Sequence, residues 1–297
     1  MKNISLPLNT IIICTVILIS CEKGDSSSVK NEKTDFYASY FGEPGTKATK
    51  TFTAANKVTI FGYEAGAILT SAVPVAGTPV EATCGSSGIL TPSSPVFLPK
   101  GTYDFYSVSI NNTNSPNLTF SSGVSGQLSN GVDYLWAKCT GIAQGGTVSF
   151  VYYHKAVGIE INVAAGTGVS NLAVTSISIT PANPSTSSKM QLSDGNIGVS
   201  NSIGDQTPMS LDGLKGTYIM LPLSSIGINI ELTVNATIGG TSVSSKKYTA
   251  SIPAQTYTSG YYYTINLTVS STALQFSGTL IEDWTGQTIT GISLVEQ

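Results

Sequence analysis

The chain has 297 residues, of which 41% are hydrophobic and only 10% carry a charge, and its formal net charge is −3. All 14 basic residues are lysines, so the sequence lacks the basic surface that nucleic-acid binding requires. Serine, threonine, glycine and asparagine supply most polar positions instead, a composition common in extracellular β proteins. These properties exclude nucleic acid as a partner.

The N-terminus has the parts of an export signal. Lys2 supplies a positive charge, and the apolar run at 11–19 is shorter than the roughly 20 residues of a transmembrane helix. The run ends in the sequence Leu-Ile-Ser before Cys21, which resembles the lipobox of bacterial lipoproteins. We therefore predict a signal peptide over 1–20, lipidation of Cys21 and a membrane anchor through that lipid. The alternative is an ordinary signal peptide in which Cys21 is incidental.

The segment after Cys21 is polar and charged. Residues 22–33 read EKGDSSSVKNEK and show no hydrophobic period, which predicts a flexible tether over 21–34. Loss of residues 1–20, with one lysine and no acid, takes the formal charge from −3 to −4. The acidic start resembles the surface-export signals of lipoproteins in Gram-negative anaerobes, which favours the outer membrane and the cell surface.

Alternation of apolar and polar residues runs through the remaining chain and predicts β-strands. The clearest runs are 157–163, 228–234 and 261–269, each with one core face and one solvent face. Turn-rich segments separate the strands, and we find no amphipathic helix of useful length. Further strands are predicted at 36–41, 58–63, 103–110, 148–154, 174–179, 218–223, 248–252 and 274–280.

Many short strands with glycine, asparagine and proline turns predict an all-β fold built from sandwiches. The mature chain of about 275 residues exceeds the length that one small sandwich needs. A small, flexible run at 164–168 follows a strong strand. We therefore predict an N-terminal β-sandwich domain over 35–166 and a C-terminal one over 167–297.

Cysteine and histidine limit the chemistry. Cys84 and Cys139 remain after export and are a candidate disulfide, or else two small buried hydrophobic residues. His154, the one histidine, ends a predicted strand among aromatic residues, which favours a packed or hydrogen-bonded role over a catalytic one. The sequence contains none of the common catalytic, phosphate-binding or metal-binding motifs. We predict no catalytic residues, no metal, no cofactor and no enzymatic activity.

The aromatic residues leave one alternative function open. In the run 261–263, Tyr261 and Tyr263 have the spacing of core residues, whereas Tyr262 is expected to face solvent. Exposed aromatic rings suit sugar binding, and Trp136 is a second candidate for such a platform. The alternative function is therefore that of a glycan-binding lipoprotein on the outer-membrane surface.

Three segments together resemble the fimbrillin family, the pilins of type V pili in Gram-negative oral and gut anaerobes. Residues 259–267 (SGYYYTINL), followed by LQFS at 274–277 and IEDW at 281–284, are similar to the family's near-terminal strand, hairpin and closing Asp-Trp pair. Residues 148–161 and the run GTYDFY at 101–106 are similar to two further family strands.

The resemblance implies two transthyretin-like β-sandwich domains in tandem and a structural role in a cell-surface fimbria. It also implies assembly by strand exchange, in which a protease removes an N-terminal segment with the first strand and a neighbour's strand fills the groove. The implied partners are other fimbrial subunits, with host or bacterial surface ligands as further candidates.

Two details of the implied assembly stay open. The candidate processing residues are Lys47 and Lys50, at a place where many family members have arginine. Cleavage here requires a protease that accepts lysine; the alternative is that no cleavage occurs and both lysines are ordinary loop charges. The segment 285–297 is either a donor strand or the last strand of its own domain. Stalk, anchor and tip roles are therefore all compatible with the sequence.

Overall fold

A computed structural model describes residues 30–41, 49–270, 274–283 and 288–292, with side chains for 30–40 and 52–270. These ranges contain strands and turns and no helix, so the all-β prediction is confirmed. Accordingly, nothing helical in them is long and apolar enough to cross a membrane. The signal peptide, Cys21 and Lys47 lie outside the described residues.

The first half of the chain forms one large sheet and two small ones. Its strands are β1 (Glu32–Lys33), β2 (Asp35–Phe41), β3 (Thr49–Thr51), β4 (Lys57–Glu64), β5 (Val80–Cys84), β6 (Ile89–Pro92), β7 (Phe97–Leu98), β8 (Thr102–Ser109), β9 (Phe120–Ser121), β10 (Val124–Ser125), β11 (Leu135–Ala143) and β12 (Thr147–His154). The large sheet has the order β12-β11-β8-β4-β5-β6-β2-β3, and a further pairing of β12 with β2 closes it on itself. β1 pairs with β7, and β9 pairs with β10.

The second half forms a six-stranded, a four-stranded and a two-stranded sheet. Its strands are β13 (Val157–Ala165), β14 (Val169–Ile179), β15 (Thr207–Pro208), β16 (Ser210–Asp212), β17 (Lys215–Met220), β18 (Leu223–Ile226), β19 (Asn229–Ile238), β20 (Thr241–Ser251), β21 (Gln255–Tyr257), β22 (Tyr261–Val269), β23 (Leu274–Asp283) and β24 (Thr288–Ile292). The orders are β16-β17-β13-β22-β23-β24, β15-β14-β19-β20 and β18-β21.

Two hydrophobic cores follow from the alternation along these strands. One lies inside the closed sheet and includes Phe105, Phe150 and Tyr152. The other lies within the second half and continues onto the first half through residues such as Phe61 and Tyr106. Because this second core spans both halves, the described residues from Asn31 onward form one compact unit.

The chain passes from one set of sheets to the other between β12 and β13. β13 pairs with β17 and β22 and not with any strand of the first half. The division of the chain into two domains remains a prediction, but sheet pairing puts the change at 155–156, before β13, whereas the sequence put it after β13.

The N-terminal end of the fold starts earlier than the sequence indicated. The sequence predicts a tether over 21–34, but Glu32 and Lys33 form β1, and Thr34 is buried with its N–H donating to the Val96 carbonyl at 3.0 Å. The fold therefore already holds the chain before β2 begins.

Candidate functional site

Strand β2 closes the first sheet. It runs parallel to β12 over six pairs, from Asp35 opposite Thr147 to Tyr40 opposite Tyr152. On its other side it makes only two pairs with β6, at Phe36 and Tyr37, and three with β3. Strands β12 and β6 would therefore become open edges if β2 were absent, because each pairs with it through backbone groups.

The inward side chains of β2 fill the first core. Phe36 is 1% exposed; its ring centroid lies 5.4 Å from that of Phe105 in an edge-to-face contact and 6.3 Å from the stacked ring of Phe150. Ala38 is also buried, whereas Tyr37, on the opposite face, is 40% exposed. The strand thus presents a large, a small and then a third side chain, Tyr40, to the interior.

Tyr40 lies in an aromatic slot at the end of β2. Its ring packs on Phe52, with centroids 4.7 Å apart, and lies parallel to the His154 imidazole at 6.1 Å. Phe52 in turn packs on Tyr152 at 4.6 Å. The slot is therefore formed by aromatic side chains that stack on Tyr40 or on one another.

A chain of hydrogen bonds continues from the Tyr40 hydroxyl. The hydroxyl donates to Asn111 Oδ1, which also accepts from Asn56 Nδ2 at 2.9 Å. Asn111 Nδ2 donates to Asp133 Oδ2 at 2.7 Å, and Asp133 Oδ1 lies 2.8 Å from Nδ1 of His154. The four side chains that follow Tyr40 come from four separate segments, so the network ties β2 to the body of the first half.

The electrostatics of the network keep Tyr40 a donor. Burial raises the pKa of the Tyr40 phenol, and the negative charge of Asp133 raises it further, whereas a hydrogen bond with Thr53 opposes the shift. The phenol is therefore protonated at neutral pH. His154 is 8% exposed and bonded at a strand end, as predicted from the sequence.

The contact between β2 and β6 is interrupted by a cavity. β6 ends at Pro92 and the connection after it carries Pro95; a cavity of about 310 Å³ lies between these residues and β2. Because proline has no N–H, this connection cannot extend the ladder in register. β2 is thus held chiefly by β12 and by its inward side chains.

The two mature cysteines are not brought together. Cys84 is buried in β5 and Cys139 is partly buried in β11, and both are free. β8 and β4 lie between these strands, so the Cα separation exceeds the roughly 7 Å that a disulfide spans. The candidate disulfide is therefore not formed, and Cys84 matches the alternative, a small buried hydrophobic residue.

Of the candidate processing residues, only Lys50 lies within the described chain. It is in β3, where its backbone pairs with Tyr40 of β2. At the other end of the chain, β24 pairs antiparallel with β23 at the edge of the six-stranded sheet. The described part of the segment 285–297 thus pairs within its own half.

The aromatic residues proposed for a sugar platform have internal partners. The Trp136 indole N–H donates to the Leu192 carbonyl at 2.8 Å, and the Lys155 ammonium lies 4.8 Å above the ring. Tyr262 was expected to face solvent but is half-buried. Its hydroxyl donates to Glu160 at 3.0 Å. Both side chains therefore serve the packing of the fold.

No group of three or more His, Cys, Asp or Glu side chains that could hold a metal occurs in the described part of the chain.

The sequence did not indicate three members of the hydrogen-bond network, namely Asn56, Asn111 and Asp133. Their only sequence signal is that Asn111 begins a turn-rich segment, where its left-handed φ of 51° is acceptable for asparagine.

Comparison with known proteins identifies the relationship. The sequence profile of the family described as fimbrillin-like matches residues 46–284, most of the chain. This confirms the resemblance that the three sequence segments indicated. No curated protein matches the sequence.

Solved structures share the fold. A candidate cell adhesion protein from Bacteroides uniformis aligns with a TM-score of 0.62 at 18% identity, covering 85% of this chain and 98% of that one. One from Bacteroides ovatus gives 0.61 at 15%, covering 90% and 99%. A fimbrial protein from Bacteroides vulgatus gives 0.52 at 14%, covering 86% and 99%.

Proposed function

This chain belongs to the fimbrillin-like family, and from that premise we propose that it is a subunit of a cell-surface fimbria. In this proposal it is exported as a lipoprotein acylated on Cys21, reaches the outer membrane and joins other subunits by strand exchange. Its two hydrophobic cores support two sandwich domains in tandem.

The position of β2 is the observation that carries the proposal. It precedes the rest of the first sheet in sequence, yet it lies between β12 and β6 and supplies inward side chains to the core. Cleavage after β2 would leave it attached only through hydrogen bonds and packing. A neighbour's strand then satisfies the same backbone groups and pockets, which is β-augmentation.

If the groove and the donor strand lie on different faces of a subunit, the contact between successive subunits is head-to-tail. Such a contact is heterologous, so it propagates into a filament and does not close into a dimer. The role of the subunit depends on whether the segment 285–297 leaves its own sheet. A subunit whose tail stays paired with β23 is suited to an anchor or a cap.

Lys47 is the better candidate for processing. Lys50 lies in β3 and is paired with β2, and a paired strand must detach before a protease can bind it in extended form. We therefore expect cleavage after Lys47 to precede any cleavage after Lys50.

N-terminal sequencing of the protein taken from the cell surface tests the proposal. We expect a mature start at Ala48, together with ladders of higher mass on a denaturing gel run without heating. The Lys47→Gln variant should keep acylated Cys21 and give no ladder, whereas Lys50→Gln should behave like the parent. Cleaved protein that remains monomeric would count against strand exchange.

A further inference from the structure

We propose that the β2 groove, the space between β12 and β6 that β2 fills, preferentially binds a strand that carries a tyrosine. A strand that takes the place of β2 must present a tyrosine opposite Tyr152, where Tyr40 now lies. This inference rests on the proposed strand exchange and adds the chemical class of the partner segment, which is aromatic, then small, then tyrosine at alternate positions. Phe36, Ala38 and Tyr40 have this pattern in β2 itself.

The first reason is the aromatic slot. Phe52 and His154 both stack on the Tyr40 ring, and both belong to parts of the chain that follow the candidate cleavage segment. A strand with a small aliphatic side chain at this position leaves a gap where the ring lay, and the side chains lining that gap lose their contacts.

The second reason is the fixed hydrogen-bond acceptor. Asn111 Oδ1 is oriented by Asn56, which donates to it, and by Asp133, which accepts from the same amide. The amide therefore cannot turn its N–H₂ group toward the groove without losing its bond to the carboxylate. A phenylalanine in the slot fills the space but leaves this partly buried oxygen without one of its two donors.

The chain's own tail does not fit these requirements. The segment 285–297 reads TGQTITGISLVEQ and contains no aromatic residue. In any register it lacks a phenol for the slot and a large ring for the Phe36 position. The groove is thus matched to a strand from a different subunit and not to this tail in a second copy of the chain.

Peptide competition on the nicked mature chain tests the inference. A site for a sequence-specific protease is inserted between Pro44 and Gly45, the chain is cut, and a labelled peptide of residues 31–41 is exchanged into the groove. Fluorescence anisotropy then ranks unlabelled competitors. We expect the Tyr40→Phe peptide to bind about 10-fold more weakly and the Tyr40→Ala peptide at least roughly 100-fold more weakly than the native peptide.

The matched control is the Tyr37→Phe peptide. It removes the same hydroxyl from the same strand but on the 40% exposed face, so it should bind as the native peptide does. In the chain itself, Asn111→Gly keeps the left-handed backbone and deletes the acceptor. The difference between the native and Tyr40→Phe peptides should then shrink to the contribution of the longer contact with Thr53 Oγ1, at 3.3 Å.

The outcomes separate the inference from the proposed function. Equal binding of native and Tyr40→Phe peptides, or efficient competition by a peptide of residues 285–297, would overturn the inference and leave strand exchange standing. Failure of every peptide to exchange, the native one included, would overturn strand exchange and the inference with it. In the uncut chain, Tyr40→Phe should lower the unfolding temperature more than Tyr37→Phe, and an equal effect would also overturn the inference.

Discussion

Replacing Phe36 with alanine should destabilise the first half of the fold severely. The side chain is 1% exposed and packs edge-to-face on Phe105 and stacked on Phe150. Truncating a buried phenylalanine removes its transfer free energy and leaves a cavity, at a cost of about 3–5 kcal/mol. The whole free energy of unfolding of a domain is only about 5–15 kcal/mol. The variant should therefore lose about a fifth of its stability or more.

Urea unfolding of the uncut mature chain, followed by circular dichroism and fluorescence, measures this loss. With a slope of about 2 kcal/mol per molar urea, the midpoint should fall by about 2 M. Tyr37→Ala is the matched control, because the neighbouring side chain is exposed on the outer face and should cost under about 1 kcal/mol. If the two variants unfold at the same urea concentration, β2 does not contribute to the core as described.

Three further changes probe other parts of the molecule. Gly195→Ala should lower the free energy of unfolding, measured by thermal denaturation, by about 2–4 kcal/mol, because φ is +71° and the new Cβ would lie 2.5 Å from Cγ of Trp136. The control is Gly213→Ala, where φ is also positive but the space is open, and its cost should be clearly smaller. The pKa of Glu81 is lowered from 4.5 by a hydrogen bond from Lys57, so its stabilisation is present above that value and is lost as the pH falls below it. At pH 7 the free energy of unfolding of Glu81→Gln should differ from that of the parent by under about 1 kcal/mol, and this difference should shrink as the pH falls; a difference that grows in acid would contradict this. Burial raises the pKa of the Cys84 thiol, so a thiol reagent should label it only as the protein unfolds, and rapid labelling of native protein would refute the assignment.

The strands that alternate cleanly could be predicted from the sequence. Predicted runs at 58–63, 103–110 and 148–154 correspond to β4, β8 and β12 with ends shifted by one residue or none. The strands β6 and β11 were missed for local reasons. β6 is short and ends in a proline, and a register shift between Cys139 and Ile142 breaks the period of β11. Alternation with a period of two residues does not reveal a strand that is very short or whose ladder is irregular.

The candidate site could not be predicted in the same way, because its parts meet only through long-range pairing. β2 and β12 are parallel neighbours more than a hundred residues apart in sequence, and no local signal specifies that pairing. Asn111, Asp133 and His154 likewise come from separate segments. This distribution has a consequence for processing. Cleavage after Lys47 would separate only Tyr40 from the network, so the acceptor oxygen, the carboxylate and the imidazole all stay on the body that receives the next strand.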